Sequence, residues 1–145
     1  MSGRVEAVCV SRKKGTVKKP VGRAEVRIGH GIVGDAHAGD WHRQVSLLEV
    51  GEIEQALAED IERSAGRFAE NLSVRGLPRE AYTLGTKLRV GASVVLEISQ
   101  IGKECHTRCA VYKQTGDCIM PRLGLFARVL EGGPVAVGDA VEVVA

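Results

Sequence analysis

Lys87-Leu88-Arg89-Val90-Gly91-Ala92-Ser93-Val94-Val95-Leu96-Glu97-Ile98 is the stretch that decides the fold class. Leu88 and Val90 alternate with Lys87 and Arg89, the two-residue period of a half-buried strand. Gly91-Ala92 breaks the run, and Ser93 to Ile98 resumes it, so the stretch reads as a hairpin. Similar short runs recur on both sides. Val5 to Val10 reads as a buried first strand. Ala24 to Ile28 reads as a half-buried strand with Ala24, Val26 and Ile28 inward. Val45 and Leu47 share one face of a short strand, and Leu72 to Val74 forms another. A final hairpin is expected from Val135 to Val137 and Val141 to Val144, across Gly138-Asp139. Eighteen glycines against four prolines fit a chain of many tight turns. Seven or eight short strands in 145 residues favour a closed or nearly closed barrel, which leaves few exposed edges.

One helix stands out against this background. Ile53, Leu57 and Ile61 recur at i, i+4 and i+8, while Glu52, Glu54, Glu59 and Glu62 hold the wet side. Gly66 reads as its stop, and a shorter helix is expected within Pro121 to Val129. No linker or repeat divides the chain, so residues 1–145 read as a single, mainly β (α+β) domain.

The composition narrows the function classes. The chain is 44% hydrophobic and 26% charged, with a mean hydropathy of -0.01, which is a globular balance. Aromatics are 3%, too few for the stacking platforms of single-strand nucleic-acid binding. Net charge is +2 overall, but residues 1–30 hold eight basic side chains against two acids. Read as a solvated loop, the segment Lys13 to Arg23 is also positioned to attract an anionic ligand. Residues 49–80 hold the reverse balance, eight acids against four arginines. No run approaches the ~20 apolar residues that span a bilayer. Met1 to Val10 lacks a signal-peptide core, so a cytoplasmic location is expected, with the four cysteines as thiols.

Three of those cysteines, Cys105, Cys109 and Cys118, fall within fourteen residues, with His106 beside the first. They lie on the loop that leaves the strand ending at Ile98, a common placement for reactive groups. Lys103, His106, Arg108 and Lys113 surround them with positive charge, which favours thiolate over thiol. Such a thiolate attacks sulfur, carries a persulfide or binds a soft metal. Cys105, His106, Cys109 and Cys118 also make a four-ligand zinc set, the core of an alternative reading as a zinc-binding structural or regulatory module. A dithiol redox pair is a third reading. Cys9, in an apolar strand, reads as a small buried hydrophobe.

Two further constellations stand out. The glycine-rich loop carries Gly34-Asp35-Ala36-His37, then Asp40, Trp41, His42 and Arg43, a mixture that suits metal ligation or a hydrogen-bonded loop. Gly66-Arg67-Phe68-Ala69-Glu70-Asn71-Leu72 places Glu70 and Asn71 at a helix-to-strand junction, where such side chains satisfy backbone groups.

Taken in order, Gly34-Asp35-Ala36-His37 with Arg43, then Glu70-Asn71-Leu72, then a late cysteine and Gly124-Leu125-Phe126-Ala127-Arg128-Val129, the sequence resembles MOSC domains over Val5 to Val144. These are the C-terminal domain of molybdenum-cofactor sulfurase and its stand-alone relatives. The version here is similar to the small bacterial type. The resemblance implies a β-barrel with peripheral helices and a basic pocket for a molybdenum-pyranopterin (or its tungsten equivalent). It also implies a functional cysteine that ligates molybdenum or carries sulfur for it, matched here by Cys109. Arg43, Asn71 and Arg128 fall on the family's recurring polar positions, and His37, Lys103 and Arg108 join them as expected cofactor-binding residues. A pyridoxal-phosphate cysteine desulfurase is the implied sulfur donor, since no pyridoxal-binding segment is legible here. Molybdoenzymes or cofactor-synthesis proteins are the implied partners. A variant of this reading has Cys109 ligating molybdenum directly, in support of the reduction of N-hydroxylated compounds.

Overall fold

A computed structural model describes residues 3–102 and 119–144. In chain order the described elements are β1 (Gly3–Val10), β2 (Lys19–Pro20), β3 (Arg23–Arg27), β4 (Gly31–Ile32) and β5 (Val45–Glu49). Helices α1 (Val50–Leu57) and α2 (Ile61–Ser64) follow, then β6 (Leu72–Arg75), a 3-10 turn (Arg79–Tyr82), β7 (Lys87–Val90) and β8 (Val94–Ile101). The chain closes with α3 (Met120–Leu123), β9 (Leu125–Glu131), β10 (Gly133–Ala136) and β11 (Ala140–Val143).

Seven strands, in the order β11-β7-β8-β9-β5-β6-β1, close into a barrel because β1 also pairs with β11 at Gly3↔Val141. The expected mainly β barrel with few helices is what the chain forms. Strand β1 serves three partners along its length: β11 at Gly3, β6 from Arg4 to Val8, and β2 at Cys9. The β5–β6 pair is parallel, which requires a crossover, and α1 and α2 supply it. A separate sheet, β10-β3-β4, sits beside the barrel.

The apolar residues divide into two cores. Val5, Leu47, Leu72, Leu88, Leu96 and Leu125 belong to the main cluster inside the barrel. Leu48, Val50, Ile53, Ile61, Phe68 and Phe126 pack between the barrel wall and the helices. Strand β5 is buried from Val45 to Leu48 because it separates the two cores. Each fully buried Leu or Ile contributes about 1.5–3 kcal/mol relative to exposure.

Four expectations change. The residues of the expected last hairpin do not pair with each other: β10 pairs with β3, while β11 pairs with β1 and β7. The turn between them crosses from one sheet to the other, tied by Gly138 N–H to Val5 O at 2.8 Å and Val5 N–H to Asp139 O at 2.8 Å. The single long helix is two. The chain turns at Ala58 (φ 51), and the Glu54 carboxylate accepts the Ile61 N–H at 2.9 Å, so Ile61 opens a new helix while staying buried. The helix expected within Pro121 to Val129 ends at Leu123, and Leu125 onward is the central strand β9, bonded to both β5 and β8. Finally, Ile28 lies beyond β3 and is 63% exposed, because the chain reverses at Gly29 before the next strand. The glycine-rich loop is irregular apart from β4, as its composition predicts.

Candidate functional site

Lys18 departs most from its sequence context. Set in a basic segment between Val17 and Lys19, it reads as part of a solvated loop, yet it is 2% exposed. The pairing of β2 with β1 and the bond from Lys18 N–H to Gly66 O (2.8 Å) fold its segment over the end of β1. Its ammonium donates to Asp35 Oδ1 at 2.8 Å and Ser11 Oγ at 3.0 Å, and lies 3.0 Å from His37 Nδ1. Both side chains of the Lys18–Asp35 pair are fully buried.

Asp35 holds its place through an Asx turn, accepting the His37 N–H on Oδ2 at 3.1 Å and the Ser11 N–H on Oδ1 at 3.1 Å. Burial works against its ionisation, but the bond and charge of Lys18, with Ser11 N–H and the Asn71 side chain, outweigh it and hold the carboxyl below its ordinary value. Burial likewise draws Lys18 below the usual lysine range, against the pull of Asp35. The pair is a salt bridge with satisfied hydrogen bonds, the condition under which buried charges are tolerated.

Above this pair stands a wall of rings and cations. The Trp41 indole donates to His37 O at 2.7 Å, and the two rings stack with an interplanar angle of 7°. The Arg43 guanidinium carbon lies 4.5 Å from the Trp41 ring centre and 5.7 Å from that of Phe126. Lys14 Nζ sits 4.6 Å from the same indole. Cations within about 6 Å of a ring face are attracted by its quadrupole. Arg43 Nε is buried and has no hydrogen-bond partner among the described residues. Burying such a donor unpaired costs free energy.

Asn71 and Glu70 sit beneath. Asn71 Oδ1 accepts from Ser46 N–H (2.9 Å) and Ser46 Oγ (3.2 Å), while Nδ2 donates to Cys9 O (3.1 Å), clamping β5, β6 and β1 together. Glu70 accepts from Gly66 N–H, Phe68 N–H and Ser73 Oγ at 2.8, 3.2 and 3.0 Å. Burial raises its carboxyl above the ordinary value, offset in part by those donors. Cys9 is buried, as its strand predicts. Its thiol is pushed up to about 12 by burial and by Glu70, which keeps it inert at neutral pH.

The structure therefore gathers His37, Arg43 and Asn71 around one buried polar cluster. Arg128 is exposed on β9, two residues from Phe126 and opposite Glu97 of β8. Of the second histidine in the glycine loop, His42 Nε2 meets Gln100 Oε1 at 2.7 Å, tying the loop to the end of β8. No group of three or more metal-ligating side chains occurs among the described residues. Lys103, Cys105, His106, Arg108, Cys109 and Cys118 lie outside those residues. Their segment joins β8 to α3, and its flanks are bonded to each other, Gly102 N–H to Gly124 O at 2.7 Å.

The sequence names Trp41 only as a member of the glycine-loop constellation and Lys18 only within the basic segment Lys13 to Arg23, and gives neither a role of its own. Lys18 is indistinguishable from its basic neighbours by type, and its burial depends on β2 folding back. Trp41 carries a usable signal, since a lone tryptophan two residues before Arg43 in a polar loop needs a partner for its N–H.

A closed barrel with a buried lysine–aspartate pair beneath a cation–aromatic wall defines a class of small β-barrel proteins with a polar site. The model of the MOSC domain matches residues 34–142, and the chain belongs to that family. None of the curated proteins matches it. Among solved structures, YuaD of Bacillus subtilis aligns with a TM-score of 0.74 at 20% identity, covering 99% of this chain and 96% of that one. YiiM of Geobacillus stearothermophilus gives 0.70 at 19%, covering 99% and 75%, and YiiM of Escherichia coli gives 0.68 at 20%, covering 100% and 70%. At these identities the likeness is one of fold. No helix among the described residues is long and apolar enough to cross a membrane.

Proposed function

We propose that this protein binds a molybdenum-pyranopterin, or its tungsten equivalent, as substrate and passes it sulfur from a persulfide on Cys109. The family is associated with molybdenum-cofactor sulfurase-like proteins, and the observation that carries the reading is Arg43. Its buried Nε, unpartnered among the described residues and flanked by two rings, is a ready donor for an anionic ligand. The residues present fit a phosphate-bearing heterocycle. Arg43 supplies a charge-assisted hydrogen bond, Lys14 adds positive charge, and His37 adds a polar contact beside the indole. Bound there, the cofactor would supply the metal centre that accepts sulfur.

The chain's own chemistry is thiol exchange. The Cys109 thiolate, kept ionised by Lys103 and Arg108, attacks the outer sulfur of a persulfide on a pyridoxal-phosphate cysteine desulfurase. The new S–S bond forms as the old one breaks, and the donor cysteine leaves as a thiolate. Delivery of the terminal sulfur as sulfide would take two electrons from a thiol reductant, which leaves as a disulfide, and would return Cys109 as a thiolate.

Two measurements test this. Reduced protein incubated with a cysteine desulfurase and cysteine is expected to gain one sulfur atom on the Cys109 peptide, removable by reductant and absent from Cys109→Ala. No added sulfur would remove the carrier step. Molybdopterin released from a molybdoenzyme is expected to bind Arg43→Met about tenfold more weakly than wild type, the weight of one charge-assisted hydrogen bond. Equal binding would remove the pocket.

A further inference from the structure

Asp35 Oδ1 receives both ends of one loop. The Ser11 N–H reaches it at 3.1 Å and the Lys18 ammonium at 2.8 Å, and that ammonium also donates to Ser11 Oγ at 3.0 Å. The backbone is tied at the same two points, Ala36 N–H to Ser11 O and Lys18 N–H to Gly66 O, each at 2.8 Å. The chain from Ser11 to Lys18 therefore leaves and rejoins the body at one buried carboxylate, the layout of an Ω-loop. Within it, Lys13 O accepts from Ser11 Oγ at 3.0 Å and from Thr16 Oγ1 at 2.9 Å. Gly15 turns the chain at φ 73°, and Val17 packs against the outer core. The loop is shaped by its own bonds, and its tip presents Arg12, Lys13 and Lys14 as exposed residues.

The tip meets the rest of the site through Lys14, whose Nζ lies 4.6 Å from the centre of the Trp41 ring, while the Arg43 guanidinium carbon lies 4.5 Å from it. Sharing one ring, the two charges are no more than about 9 Å apart, roughly one Debye length at physiological salt. Neither is paired with a carboxylate among the described residues. A ligand group carrying more than one negative charge is the counter-charge that suits both. We propose that Ser11 to Lys18 is a pre-closed basic loop, clasped by Asp35, that sets Lys14 beside Arg43 and makes the pocket select dianions, a phosphomonoester above all, over monoanions. Lys14 is the specificity-determining residue, and Lys18 and Asp35 are positioning residues that act through it. A loop closed in advance does not have to be ordered when the ligand arrives. The clasp also gives the buried pair a role beyond stability, since well-packed apolar side chains often hold a fold as well as a buried ion pair does. The inference rests on the reading that Arg43 faces an anionic ligand.

The test uses the whole chain and two probes, a pterin phosphomonoester and its phosphate methyl ester, which differ by one unit of charge at about pH 8. In low-salt buffer Lys14→Met is expected to weaken the dianion about fivefold and the monoanion about twofold, as Coulomb's law gives for one charge at that separation in water. At about 1 M salt, where the screening length is about 3 Å, both losses are expected to vanish. Equal losses for the two esters in low salt would overturn the selection. Lys18→Met combined with Asp35→Asn removes both buried charges and leaves the net charge unchanged. It is expected to reproduce the Lys14→Met losses, with no further loss when Lys14→Met is added. Additive losses would overturn the clasp. Ser11→Ala with Thr16→Val spares both buried charges and serves if the first combination does not fold. It is expected to weaken the dianion more than the monoanion, and wild-type discrimination there would overturn the loop's part. Binding of neither ester to wild type would remove the Arg43 pocket and the selection with it. Binding of both, with equal losses in Lys14→Met, removes the selection and leaves the pocket standing.

Discussion

Lys18→Met is the sharpest perturbation the site offers. The substitution roughly keeps the length of the side chain and removes the charge. Three contacts go with it, to Asp35 at 2.8 Å, Ser11 at 3.0 Å and His37 at 3.0 Å. Asp35 is left as an ionised carboxylate with a fully buried side chain, supported by two backbone N–H groups. Breaking a buried pair from one side costs about 3–5 kcal/mol, because the surviving charge is uncompensated. A domain of this size holds about 5–15 kcal/mol in all, so the variant sits near its folding limit. At roughly 2–4 °C per kcal/mol, the melting temperature falls by roughly 6–20 °C.

The pH dependence of that loss has a definite sign. In the wild type, the Asp35 carboxyl lies below its unfolded value, so its contribution is present above that unfolded value and lost as pH falls through the folded one. Without the ammonium, burial dominates and raises the carboxyl, so the variant is penalised at neutral pH and relieved as pH falls and Asp35 takes up a proton. The gap between the two proteins therefore narrows from pH 7 to about pH 4, the ordinary aspartate range. Urea unfolding followed by circular dichroism at both pH values measures it. Adding Asp35→Asn is expected to recover at least half of the loss at pH 7. A loss below about 1 kcal/mol, or one equal at both pH values, would refute the uncompensated-charge argument, since exposed pairs of that worth are common.

Three more outcomes follow from the same geometry. Asn71→Ala strands the buried Ser46 N–H and Cys9 C=O, at roughly 1–3 kcal/mol each, and a denaturation midpoint matching wild type would contradict the clamp. Gly66→Ala is expected to cost roughly 3–5 kcal/mol, because the new Cβ would meet Lys18 O at 2.0 Å where φ is +81°; thermal melts check it. Glu70→Gln is expected to flatten the stability profile above the unfolded glutamate value. The raised Glu70 carboxyl contributes stability below its unfolded value that is lost as pH rises through the folded one, so a wild-type stability that stays level from pH 5 to pH 9 would count against it.

The candidate site was legible in part, and the legible part is instructive. Asp35, His37 and Arg43 lie within nine residues of one glycine-rich loop, so sequence places them together whatever the fold does. Asn71 was visible as a side chain that satisfies backbone groups, and it does so across three strands. Which strands it joins was not visible, because Cys9 and Asn71 are 62 positions apart. The broken helix shows the same limit on a smaller scale. The spacing of Ile53, Leu57 and Ile61 marked the buried positions, but a left-handed residue at Ala58 leaves no trace in periodicity.

By itself the sequence determined the alternation that makes strands, the glycines that turn them and the excess of strands over helices that favours closure. These are local properties, set by side-chain size, backbone freedom and the two-residue period of the pleat. The tertiary structure alone decided that β10 and β11 part company, that β1 serves three partners, and that one lysine among eight basic residues near the start of the chain turns inward to meet Asp35. Those outcomes depend on which distant segments share a low-dielectric interior. There an ammonium without a carboxylate is intolerable, and the energy that settles the matter belongs to neither segment until the barrel brings them into contact.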